Sequence, residues 1–119
     1  MAFEDAQDYG VDAPKALMLL ANNEDLYKRL LTIFKEDYAN FFSDISQVIA
    51  DGDKAKAKQM LHTLKGVAGN LGATELFDEA KNLDEHMKDE LDLEWLSANI
   101  SALEAPLNKV LAFIDKHAS

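Results

Sequence analysis

Residues 60–73 read Met60-Leu61-His62-Thr63-Leu64-Lys65-Gly66-Val67-Ala68-Gly69-Asn70-Leu71-Gly72-Ala73. Stepped at about 100° per residue, Ala57, Met60, Leu64, Val67 and Leu71 gather on one side, which is the spacing of a helix and not of a strand. Asp53 is a suitable cap for this helix and Gly72 a suitable end, so the sequence predicts a helix over about 53–71. His62 points directly away from the apolar side. Lys58, Lys65, Gly66 and Gly69 surround it. Glycine within a helix costs about 1 kcal/mol relative to alanine, and this helix accepts it twice beside His62, on the face turned from the core.

The neighbouring segments repeat the helical period. A short helix is predicted over 13–21, with Pro14 in its first turn, where proline is tolerated. A second is predicted over 24–50, capped by Asn22 or Asn23. Its apolar set is Leu26, Leu30, Phe34, Phe41, Ile45 and Val48, flanked by Leu31, Tyr38, Phe42 and Ile49. That arc is about half the helix surface, wider than a single packing seam needs. The fourth helix, over 73–90, carries the stripe Leu76, Ala80, Leu83 and Met87. The fifth, over 92–117, carries Leu93, Leu96, Ile100, Leu103, Leu107, Val110, Leu111 and Ile114, with a kink expected at Pro106. The chain reads as all-α: one domain over 1–119, an antiparallel four-helix bundle with a short additional N-terminal helix.

Composition narrows the function. The 119 residues carry 22 acidic and 12 basic side chains, a formal net charge of −10, which argues against a nucleic-acid binder. With no cysteine there is no disulfide, thiolate metal site or cysteine nucleophile. The start lacks the pattern of a secretory signal, and no apolar run approaches the roughly 18 residues of a membrane span. The expectation is a cytoplasmic protein that engages no membrane.

The surroundings of His62 then discriminate among chemistries. Metal ligands belong three or four residues along a helix, and those positions hold Lys65 and Gly66, so no metal is expected. A general base needs an orienting carboxylate, and the helix offers none near His62. A nucleophile that takes up a phosphoryl group fits: imidazole is nucleophilic near neutral pH, Lys65 can offset phosphoryl charge, and Gly66 and Gly69 give a donor clearance. His86, His117 and Trp95 read as packing or surface residues. Asp37 and Asp44 fall within the apolar arc of the second helix and read as solvent-exposed, though Asp37 could approach His62 or pair with a lysine.

These residues resemble a known family. His62-Thr63-Leu64-Lys65-Gly66, followed by Gly69, Gly72, Ala73 and Leu76, is similar to the signature of histidine-containing phosphotransfer (HPt) domains. Phe34 and the Asp51-Gly52-Asp53 turn also fit, over roughly residues 12–112. The resemblance implies a helical bundle that accepts phosphate on His62 from a receiver-domain aspartate and passes it to another receiver in a multistep two-component phosphorelay. It implies that Lys65 stabilises the phosphoryl group and Gly66 gives room. It also implies partners of two kinds, response-regulator receiver domains and a hybrid sensor histidine kinase. The domain would have no kinase activity and no bound cofactor, the Mg²⁺ of transfer residing on the receiver. A monomer is expected. The competing reading is a helical adaptor that binds partners through the wide apolar face of the second helix.

Overall fold

Acidic or amide side chains, Asp92 before Leu93–Asn99 among them, set helix starts in the computed structural model, which describes residues 3–118. Asp12 accepts from the Lys15 N–H at 3.1 Å and opens α1 (Ala13–Leu19). Asn23, one of the two candidate caps, accepts from Leu26 at 3.0 Å and opens α2 (Glu24–Tyr38). Asp53 accepts from Lys56 at 3.1 Å and opens α4 (Lys54–Asn70). Each bond satisfies a donor that the first helical turn leaves without a partner. The remaining helices are α3 (Phe41–Ala50), α5 (Thr74–Asp89), α6 (Leu93–Asn99) and α7 (Glu104–His117). The single-domain reading of 1–119 includes residues 1, 2 and 119, which lie outside the described residues.

The elements form an all-α bundle with no strand among the described residues. Its four arms are α2 with α3, α4, α5, and α6 with α7. It measures 45 × 24 × 21 Å along its principal axes. The core receives Ala57, Leu61, Leu64 and Ala68 from α4 and the whole predicted stripe of Leu76, Ala80, Leu83 and Met87 from α5.

Two predicted long helices are each divided. The segment 24–50 breaks at Ala39–Asn40; asparagine is a weak residue for a helix interior, and Asn40 precedes α3 without a side-chain capping bond. The break splits the wide apolar arc: α2 buries Tyr27, Leu31 and Phe34, α3 buries Phe41, Ile45 and Val48. α2 packs against α7 and α1, and α3 against α4 and α6. Most of the arc is thus covered within the chain, with Leu26, Leu30, Tyr38, Phe42 and Ile49 left half-buried, so less of it is free for an adaptor face than its width suggested. The segment 92–117 is divided by a 3-10 turn over Ile100–Leu103, upstream of the kink expected at Pro106. Pro106 cannot donate to the Ala102 carbonyl, so the chain tightens one turn earlier. Pro106 then occupies the first turn of α7, where an N–H has no helical partner in any case.

The N-terminal residues 3–12 contribute more than the sequence foretold. Phe3 is buried, edge-on to Tyr27 at 5.2 Å and against Phe113 at 5.8 Å. Asp5 pairs with Lys116 and, at 2.7 Å, with Nε2 of His117, so His117 is a structural residue. Asp12 N–H donates to the Gly72 carbonyl at 2.7 Å. Gly72 has a left-handed φ of 75°, and a Cβ there would stand 2.3 Å from the Asp12 carbonyl oxygen; both facts demand glycine. Tyr27 Oη donates to the Leu71 carbonyl at 2.7 Å. Together these contacts fix the end of the helix that bears His62.

Candidate functional site

Small residues let α4 and α5 approach closely, and this approach creates the site. Ala57, Ala68 and Ala80 are fully buried between the helices. One turn beyond Ala80, Asp84 is carried into the same seam with 0% of its surface exposed. It is the one buried charged side chain among the described residues. An isolated buried carboxylate is costly, so its partners are informative. All three come from α4, on three successive turns: Lys58 Nζ lies 3.5 Å from Oδ1, Lys65 Nζ 3.2 Å from Oδ2, and His62 Nδ1 3.3 Å from Oδ2.

Burial pushes the Asp84 carboxyl up. The hydrogen bonds from His62 and Lys65 and the charge of Lys58 act against this and prevail, holding it below the usual carboxylate range. Asp84 is therefore an anion near neutral pH, able only to accept. In the neutral imidazole, Nδ1 then carries the hydrogen and Nε2 the lone pair. The His62 side chain is 63% exposed. An oriented ring thus presents an unprotonated nitrogen outward.

Asp84 is the residue that sequence reasoning missed: α4 offers His62 no carboxylate of its own, and α5 supplies one. The available signal was its position at the edge of the stripe, four residues after Ala80.

The two glycines differ. A Cβ on Gly66 would meet nothing within 4 Å, so its bare backbone opens outward beside the imidazole. A Cβ on Gly69 would lie 3.1 Å from the half-buried Phe77 ring, so its lack of a side chain is explained by packing against α5. Gly69 was read as clearance for a donor; the space it leaves is taken by Phe77.

Beyond Gly66, on the flank of α4 opposite the lysines, lies a groove of about 440 Å³ at the α2–α3 corner. Tyr38, Phe41, Met60 and Thr63 line it, with Asp37 and Lys56 among its polar residues. Asp37 and Asp44 are both exposed, and the carboxylate beside His62 is not Asp37. His86 stacks on Trp95 at 3.5 Å with 12° between the planes, a packing contact between α5 and α6. No group of three or more His, Cys, Asp or Glu that could hold a metal ion occurs among the described residues.

A family model described as the Hpt domain matches residues 29–113, the stretch that builds this site. The chain belongs to the Hpt domain family. No curated protein and no solved structure matches it. Hpt domains are phosphocarrier modules of two-component phosphorelays, which exchange phosphate with receiver domains and kinases. No helix among the described residues of this Hpt domain is long and apolar enough to cross a membrane.

Proposed function

We propose that this Hpt domain carries its phosphoryl group on Nε2 of His62, accepting it from a receiver aspartate and delivering it to a second receiver. The observation that carries the reading is the exposed imidazole whose Nδ1 is engaged by a buried, ionised carboxylate. In the accepting step the Nε2 lone pair attacks phosphorus in line. The Nε2–P bond forms as the P–O bond of the acyl phosphate breaks, and the receiver carboxylate leaves with the electron pair. The Nδ1 hydrogen stays on its bond to Asp84, so no proton has to enter or leave the buried side of the ring. Discharge is the reverse, with a second receiver's carboxylate as nucleophile. Lys65 meets the phosphoryl oxygens. Mg²⁺ is supplied by the receiver, which is also where the chemistry of the acyl phosphate resides.

Gly66 leaves the approach to Nε2 open, and the groove at the α2–α3 corner lies toward the same flank of α4. A receiver seated over Gly66 would cover Tyr38, Phe41 and Met60 and exclude water from the reacting atoms. A hybrid sensor kinase upstream, a monomeric carrier and a cytoplasmic setting complete the proposal. The test is to incubate the protein with a phosphorylated receiver and locate the phosphoryl group by nitrogen-edited NMR. A phosphorus coupling on Nε2 of His62 is the expected result. Coupling on Nδ1, or on His86 or His117, would overturn the assignment.

A further inference from the structure

Asp84 holds more positive charge than it needs. One lysine and the Nδ1–H would suffice to bond and balance a single carboxylate. The structure supplies two, Lys58 and Lys65, one turn before and one turn after His62 on α4. Their side chains are 29% and 20% exposed, held along the helix surface and not extended into water. With His62 neutral, the cluster of Lys58, Lys65 and Asp84 has a net charge of +1, within a chain of net −10. Lys81 and Lys88, one turn either side of Asp84 on α5, are exposed and add cations, while the ion pairs of Asp84 run to α4 alone. Local positive excess beside an exposed nucleophile in an acidic protein matches an arriving anion.

We propose that Lys58 is a second phosphoryl-binding residue, held by Asp84 while His62 is unmodified and handed over together with Lys65 when His62 is phosphorylated. This rests on His62 being the phosphorylated residue. A dianionic phosphoryl group on Nε2 lies one imidazole width from Asp84 and carries twice its charge, so it draws both ammonium groups outward. Both are on flexible four-carbon stems on the flank they already share. With both lysines the phosphorylated cluster, its ring still carrying the Nδ1 hydrogen, is neutral; with Lys65 alone it has net charge −1. Asp84 meanwhile keeps the Nδ1–H. Lys58 therefore stabilises the transfer transition state and the phosphohistidine alike.

The test uses phosphoramidate as donor, which removes every effect of receiver docking. Its P–N bond breaks and ammonia leaves as Nε2–P forms. Wild type, Lys58→Gln, Lys58→Arg, Lys65→Gln and His62→Gln are compared by phosphorus NMR, with folding checked by circular dichroism. Lys58→Gln is expected to slow labelling about fivefold and to raise the titration midpoint of the bound phosphoryl group by about half a unit, since a cation favours the dianion. Lys58→Arg is expected to restore most of both. Normal labelling and titration in Lys58→Gln would overturn the proposal. So would slow labelling accompanied by loss of the Nδ1–H tautomer in nitrogen-15 spectra, which would make Lys58 a support for Asp84 only. A folded wild type that takes no label on His62 from phosphoramidate or from a receiver would instead overturn the underlying function.

Discussion

Replacing Asp84 by asparagine separates the positioning role of this carboxylate from its place in the fold. The new side chain has the same shape but no charge, and its amide can turn a donor toward Nδ1. A hydrogen bond to a charged group contributes about 1.5–3 kcal/mol and a neutral one about 0.5–1.5 kcal/mol. The His62–Asp84 separation of 3.3 Å is long for a charge-assisted bond. The low end of the difference, about 1 kcal/mol, is therefore the appropriate figure. That is about a fivefold fall in the reactive tautomer and in transfer rate. Stability should change little, by about 1 kcal/mol or less, because Lys58 and Lys65 are partly exposed and regain water when the anion is removed. Rapid-quench transfer from a labelled receiver measures the rate, urea unfolding the stability, and nitrogen-15 NMR the tautomer. Transfer at the wild-type rate would refute the positioning argument. So would a loss of a hundredfold or more in a protein that remains folded, because orientation alone does not supply that much.

Gly66→Ala should raise stability by about 1 kcal/mol, since its Cβ meets nothing within 4 Å, whereas Gly69→Ala should gain less because its Cβ crowds Phe77 at 3.1 Å; thermal melts compare them. Gly66→Leu should keep the fold and slow transfer from a receiver, read in the same quench assay. The Asp84 carboxyl is held below its ordinary range, so the folded state binds its proton less readily than the unfolded state. Its stabilising contribution is complete above the unfolded value of about 3.9 and is lost as pH falls through the folded one. The gap in urea midpoint between wild type and Asp84→Asn should accordingly narrow as pH is lowered from about 5 to 3. Tyr27→Phe leaves the Leu71 carbonyl without its donor and should cost about 1–2 kcal/mol in urea unfolding, with transfer retained.

What could be read from the sequence follows from how far each feature reaches along the chain. His62, Lys65 and Gly66 share one helix, so the helical period alone puts them on one exposed face. Asp84 is 22 residues from His62 on a different helix. Only the register of α5 against α4 decides which α4 residues its carboxylate meets, and periodicity carries no register between helices. Gly69 shows the same gap. A wheel says that its side is open but not whether a partner or a neighbouring helix fills it, and here Phe77 does. The break at Ala39–Asn40 was hidden because Phe34, Phe41 and Val48 keep a seven-residue spacing across it. Phe3 and Asp5 sit in a segment too short for any period, and their value lies in contacts with Phe113, Lys116 and His117 at the other end of the chain.

The central claim, that His62 is the residue that carries phosphate, is tested most directly by a complete relay. Label is supplied on one receiver and chased to a second, with wild type or His62→Gln between them. The account predicts acid-labile, base-stable label on the wild type and its passage to the second receiver, with neither seen for a folded His62→Gln. Passage of label through His62→Gln, or none through the wild type with several receivers, would contradict it.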